Sequence, residues 1–311
     1  MRNYNFIVAL LALSVFLIAC TSKKQGSKDS NLPTIENPYF GQKAPGLTPK
    51  LFAPGVISLN GRYEYGISFS PDLDEVYYSG NKKGGVADIY FSKLEGKKWT
   101  HPKKANFTKG EKEEEMQPFV SFNGNTIYFV AYNADNTDSK IWYVNRLGDS
   151  WSDAKRLESP INNDEIFYQN QAKNGDLFYT NITDIRNIKI NYAPNKNGKY
   201  PEVHEVDIDF GIHAFIAPSQ EYLLVNARNK EDKTRKDNDI YVCFKEKDGT
   251  WTKPINLGDS VNSTFGETCP SITPDGKYLF FSRYNEEGGL SNIYWVSAEV
   301  INKVRPVDFK K

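Results

Sequence analysis

Five short stretches, each a polar residue, an isoleucine and an apolar run, recur along this chain at a nearly constant interval. They are Asp88-Ile89-Tyr90-Phe91, Lys140-Ile141-Trp142-Tyr143, Asn187-Ile188-Lys189-Ile190, Asp239-Ile240-Tyr241-Val242 and Asn292-Ile293-Tyr294-Trp295, with Ile-to-Ile spacings of 52, 47, 52 and 53. A period near fifty residues marks a repeat architecture, in which one unit cannot bury its own faces and must stack on its neighbours.

Two further landmarks keep the same period. About 17 residues before each isoleucine stands a turn, such as Ser70-Pro71-Asp72, Phe122-Asn123-Gly124 or Thr273-Pro274-Asp275-Gly276, followed by an apolar run such as Val76-Tyr77-Tyr78, Ile127-Tyr128-Phe129 or Leu279-Phe280-Phe281. Proline presets φ at the second turn position, and Asp, Asn and Gly accept the tight geometry. After each of the first four isoleucines comes a glycine turn running into an aromatic residue, at Trp99, Trp151, Tyr200 and Trp251. No 3.6-residue periodicity fits these runs, and short apolar stretches between turn residues read as strands. Composition agrees: 19 Tyr, 19 Phe and 5 Trp against 2 Met favour pleated, half-buried surfaces. Each unit thus supplies four antiparallel strands, which is the blade of a β-propeller.

The turn-and-strand sequences Ser70-Pro71-Asp72 and Thr273-Pro274-Asp275-Gly276-Lys277-Tyr278-Leu279-Phe280-Phe281-Ser282 resemble the WD40-like, Pro-Asp type repeats of TolB and of many Bacteroidetes lipoproteins. Gly84-Gly85 before Asp88-Ile89-Tyr90 and Gly288-Gly289 before Asn292-Ile293-Tyr294 fit the same pattern. The resemblance runs over residues 50–305; repeats one and five match it best, and repeat three departs most. It implies an all-β propeller over residues 49–311, and the five repeat units of the chain itself give five blades. Six, the number usual in TolB relatives, require a further repeat that the chain does not display.

The fifth repeat has no glycine-aromatic hairpin after Trp295, so it lacks an outer strand. Pro49-Lys50-Leu51-Phe52, leading to Ser70-Pro71-Asp72, parallels Pro254-Ile255-Asn256-Leu257, leading to Thr273-Pro274-Asp275. Residues 50–58 are therefore expected to supply the missing strand and close the ring without a covalent bond.

The N-terminus reads as an export signal (residues 1–19): Arg2, then an apolar run from Phe6 to Ala19 too short to span a bilayer comfortably. It ends in Leu17-Ile18-Ala19-Cys20, which resembles the lipobox of bacterial lipoproteins. The resemblance implies lipidation of Cys20 and anchoring in a membrane, and several acyl chains would hold the protein stably. Residues 20–48 are polar and read as a flexible tether. Thr21 rather than Asp follows the cysteine, so the expected location is the outer membrane, facing the periplasm. Cys243 and Cys269 fall at non-equivalent places in different repeats; a disulfide is open in an oxidising compartment, but free buried thiols fit the repeat better.

Lys plus Arg equals Asp plus Glu at 39 each, which argues against a nucleic-acid partner. No Gly-x-Ser-x-Gly elbow, His-x-x-x-His pair or Cys-x-x-Cys pair occurs, and no metal or cofactor is expected. His101, His204 and His213 read as surface or packing residues, and Trp99, Trp151 and Trp251 as structural because their place repeats. Counting back eight residues from Asp72, Asn123 and Asp275 reaches Glu64, Glu115 and Glu267; Glu165 lies one position off, and the fourth repeat has Gly211 there, with Asp209 near. Such carboxylates would ring the channel mouth, either as a site for a cation, sugar or basic peptide, or as loop caps that accept backbone N–H bonds. Two functions follow: a monomeric, non-enzymatic binding or scaffold module for a protein or glycan, or a glycan-active enzyme using channel carboxylates.

Overall fold

The computed structural model describes residues 38–208, 210–229, 237–284 and 290–307. Cys20, the export signal, Asp209 and Gly288-Gly289 lie outside the described residues. The short strand β1 (Lys50–Leu51) is followed by the first blade: β2 (Arg62–Phe69), β3 (Glu75–Lys82), β4 (Asp88–Glu95), and an outer strand in two pieces, β5 (Lys98–Trp99) and β6 (Lys103–Lys104). The second blade repeats this as β7 (Glu114–Val120), β8 (Thr126–Tyr132), β9 (Lys140–Leu147), β10 (Ser150–Trp151) and β11 (Lys155–Arg156). The third comprises β12 (Ile166–Gln171), β13 (Leu177–Asn181), β14 (Lys189–Ala193) and β15 (His204–Glu205). The fourth comprises β16 (Ile212–Ile216), β17 (Tyr222–Arg228), β18 (Asn238–Phe244) and β19 (Ile255–Asn256). The fifth has β20 (Glu267–Ile272), β21 (Tyr278–Tyr284) and β22 (Ser291–Ser297), and a short helix α1 (Glu299–Lys303) follows.

The fourth strand of the fifth blade is β1, antiparallel to β22 with Lys50 opposite Trp295 and Leu51 opposite Tyr294. The innermost strands β2, β7, β12, β16 and β20 each lie against the next, and β20 lies against β2, so the ring closes. Strand alternation explains how each blade fills two seams at once. Successive side chains point to opposite faces, so Tyr77 packs with Phe129 and Trp142 of blade two, while Tyr78 packs with Phe280 and Trp295 of blade five. The hairpin aromatics seal the same seams. Trp151 donates its indole N–H to the Tyr77 hydroxyl at 2.9 Å, and Arg146, stacked 4.2 Å from the Trp151 ring, pairs with Glu75 through both guanidinium nitrogens.

Two expectations need correction. Residues 38–48 do not all belong to a tether: Tyr39 and Phe40 are buried, Tyr39 among Phe69, Tyr278 and Trp295, and Phe40 stacked 4.3 Å from Trp99. Two adjacent aromatic rings outweigh the polar composition around them, since each brings a large apolar area to a seam end. In repeat three, the residue equivalent to Ile89 is Ile190 and not Ile188. Ile89 lies opposite Ser79, Ile141 opposite Val130 and Ile190 opposite Thr180, while Ile188 precedes β14 beside the turn that Asn187 closes on Asp184.

Candidate functional site

All five inner strands bulge at the same place. The bulged residues Gly66, Gln117, Tyr168, His213 and Cys269 have φ of 57°, 54°, 53°, 50° and 51°. Four of them are not glycine, and each then holds a left-handed conformation that costs roughly 1–2 kcal/mol. A bulge re-aims a side chain, and here the re-aimed groups meet at the hub. The Tyr168 ring stands edge-on to His213 at 5.3 Å, the Tyr168 amide donates to Gln117 Oε1 at 2.7 Å, and the Tyr168 hydroxyl donates to the Pro270 carbonyl at 2.6 Å. The hub therefore fills the ring's axis at this level. His213 is enclosed, with Nδ1 2.7 Å from Asn226 Oδ1, and burial pulls its pKa down to about 4, so the ring is neutral at pH 7.

Glu64, Glu115 and Glu267 each stand two residues before a hub residue, on β2, β7 and β20. All are buried, at 0 %, 6 % and 0 % exposure. Glu115 accepts the backbone N–H groups of Phe107 (3.0 Å) and Thr108 (2.6 Å) and the Thr108 hydroxyl. Glu267 accepts the N–H and hydroxyl of Ser263 and the Arg283 Nε–H at 2.7 Å; burial raises its pKa against the pull of those partners. Glu64 accepts from the Asn292 amide at 2.7 Å. Its other oxygen accepts no hydrogen bond among the described residues and lies 3.8 Å from Arg62 Nε. Burial pushes Glu64 up to about 7, against the opposing pull of Asn292, the backbone at Leu59 and Arg62.

Glu165 stands three residues before its hub residue, which is the place of Glu114. Both clip to the preceding blade at the start of its third strand: Ala87 N–H donates to Glu114 at 2.9 Å, and Ser139 N–H donates to Glu165 at 2.7 Å. Lys140 completes the Glu165 clip at 2.6 Å. Sequence reasoning passed over Glu114, although a run of three glutamates at 113–115 marks the place. In the fourth blade, Gly211 occupies the position of Glu64, and a Cβ there would meet Val225 at 2.8 Å. The four predicted glutamates thus face the loops and strand ends of the frame and are not gathered on the axis. Among the described residues, no three His, Cys, Asp or Glu side chains come together as a metal would require.

Among the described residues, a large opening lies elsewhere, in the seam between blades two and three. It is a cleft of about 1380 Å³ bordered by Thr126, Tyr128, Tyr143, Asn145, Lys155 and Tyr200. The three hairpin tryptophans are packing groups: Trp99 is enclosed against Phe40, Trp151 bonds Tyr77, and Trp251 is half-buried in the cluster of Phe178 and Tyr192. Cys243 and Cys269 are free and buried, and burial pushes both thiols up to about 12.

No family model matches this chain, and no curated protein matches it either. Solved structures do. TolB from Acinetobacter baumannii aligns with a TM-score of 0.49 and 14% identity, over 76% of this chain and 52% of that one, so this chain spans about half of that protein's length. A GH43 endo-arabinanase from Bacillus licheniformis aligns at 0.49 and 13% identity, over 76% and 93% of the two chains. An inulosucrase from Halalkalicoccus jeotgali aligns at 0.51 and 12% identity, over 80% and 83%. At such identities the likeness bears on the fold alone; the propeller is seen in the strand pairing and the closed ring of inner strands.

Proposed function

We propose that this chain is a lipid-tethered, non-catalytic binding or scaffold propeller of the bacterial cell envelope, recognising a protein or a glycan. The tether reading rests on Leu17-Ile18-Ala19-Cys20 and the apolar run before it. One observation carries the non-catalytic reading: Glu64, Glu115, Glu165 and Glu267 are engaged by loops, strand ends and neighbouring side chains of the ring. A glycosidase needs two carboxyl groups facing one cavity, about 5–5.5 Å apart for a retaining enzyme or about 6.5–9.5 Å for an inverting one, with water admitted. A rigid ring with loops on both faces is instead suited to holding a partner. Resemblance of repeats one and five to the TolB type supports an envelope role.

The test is cellular. Replacing Cys20 with Ser moves the protein from the membrane fraction to the soluble one, and crosslinking in intact cells recovers a specific partner with the wild type. A C20S protein that stays in the membrane refutes the anchor, and turnover of an envelope polysaccharide by the purified chain refutes the non-catalytic reading.

The glycan-active alternative has one observation in its favour. Glu64 is held near 7 by burial, as a general acid is tuned. It predicts polysaccharide cleavage that disappears in Glu64→Gln.

A further inference from the structure

The seams of the ring are built alike, so their fillings can be compared position by position. In seam one–two, blade two presents Trp142 (opposite Phe129), Val144 (opposite Ile127) and then Arg146 to blade one. In seam two–three, blade three presents Asn191 (opposite Tyr179), Ala193 (opposite Leu177) and then Asn195 to blade two. The hairpin aromatic changes in the same direction, from Trp151 to Tyr200. Four equivalent positions thus carry smaller side chains in the second seam.

The consequence is visible on the surface each set should cover. On blade one the cross-strand pair Tyr77–Phe91 lies under Trp151, and the next pair outward, Glu75–Lys93, is bound by Arg146. On blade two the equivalent pair is Tyr128–Tyr143, with Thr126–Asn145 outward of it. Tyr200 meets the Tyr128 hydroxyl at 3.3 Å. Both Tyr128 and Tyr143 remain half-buried with their rings 6.3 Å apart, and the cleft lies over them. An opening of about 1380 Å³ far exceeds the small voids that close packing leaves between blades.

The chemistry of the walls selects an occupant. Tyr128 and Tyr143, their rings tilted 45° to each other, give the cleft two aromatic surfaces. Asn123 and Asn145 flank these; the asparagine Oδ1 atoms already accept bonds within the blade, so each brings an amide NH2 donor to the cleft. Exposed Lys155 and Lys199 stand at the edges. Aromatic surfaces beside amides and ammonium groups, with no deep apolar pocket for a side chain, match a sugar ring, whose C–H face packs on an aromatic ring while its hydroxyls bond the surrounding donors and acceptors. We propose that the seam between blades two and three is a carbohydrate-binding cleft, with Tyr128 and Tyr143 as the stacking surfaces and Asn123, Asn145 and Lys155 as polar contacts. This inference rests on the reading of the chain as a binding propeller and gives that reading a place and a ligand class.

Calorimetric titration of the full chain in detergent with three probes tests it: maltoheptaose, tetra-N-acetylchitotetraose and tetragalacturonate. At least one should bind. Tyr143→Ala and Lys155→Ala should each weaken that binding at least tenfold. Asn195→Arg, which copies the closed seam, should do the same with an unchanged melting temperature, which separates a blocked cleft from a misfolded chain. Ile185→Ser, on an exposed loop of blade three, should bind as the wild type does. If a probe binds but the three cleft variants bind it equally well, the cleft assignment falls while the binding reading stands. If no probe binds, the carbohydrate assignment falls, and crosslinking to a protein partner then decides whether the broader reading survives.

Discussion

The hydroxyl of Tyr168, on the third blade, donates a 2.6 Å hydrogen bond to the carbonyl of Pro270, on the fifth. The two blades are not neighbours in the ring, so this bond ties the frame together across its axis. Tyr168→Phe keeps the ring and its edge contact with His213 but leaves a buried carbonyl without that donor. An orphaned buried acceptor costs about 1–3 kcal/mol. Urea denaturation should show that loss as a lower midpoint with an unchanged slope.

Glu64 gives the protein a pH dependence of definite sign. Its pKa is about 7 in the folded state against 4.5 for the free side chain, so the native protein holds the proton more tightly. Its contribution to stability is complete below pH 4.5 and is lost as pH rises through 7. Glu64→Gln mimics the neutral form and can still accept from Asn292. The difference in stability between wild type and E64Q should therefore move in favour of E64Q between pH 4.5 and 7 and level off above. Melting curves across that range measure it, and a difference that does not vary with pH would exclude the buried carboxyl as its source.

Gly211 marks where the fourth blade abandons the buried glutamate. Its φ is +84°, and a Cβ would lie 2.8 Å from Val225 and 3.2 Å from the Asn226 carbonyl. Gly211→Ala combines left-handed strain with overpacking, each worth about 1–3 kcal/mol. Thermal denaturation should show a clear drop in melting temperature for G211A. The same substitution at Gly258, whose φ is +75° but whose Cβ would meet nothing within 4 Å, should cost less.

Phe40 is enclosed between Phe52 and Trp99, at ring distances of 5.6 and 4.3 Å. Phe40→Ala should destabilise the whole propeller by about 3 kcal/mol, the usual cost of emptying a buried aromatic site. A substitution inside a true tether would leave chemical denaturation unaffected, so this variant shows where the tether ends.

Much of the fold was legible in the chain because its cause is local and repeated. Turn residues followed by aromatic runs at a fixed period define strands wherever they occur, and the unpaired end of repeat five pointed to residues 50–58, of which Lys50 and Leu51 pair with β22. Repeat three misled through Ile188, since a polar-Ile pattern does not distinguish the last residues of a loop from the first of a strand; only the pairing of Ile190 with Thr180 does. The glutamates were visible as a recurring residue type, but their roles were not. Whether a carboxylate faces the axis or a loop depends on a bulge two residues away, which sequence periodicity does not register.

The sequence by itself determined the blade: its four strands, its turns and the segment that closes the ring, because these follow from backbone geometry and alternation within fifty residues. Tertiary structure alone decided the hub and the cleft. Gly66, Gln117, Tyr168, His213 and Cys269 share no side-chain chemistry, yet the ring brings them to one point. Asn191, Ala193 and Asn195 become a void only when set against Tyr128 and Tyr143 of another blade, because an opening is a difference in volume between two surfaces and belongs to neither alone.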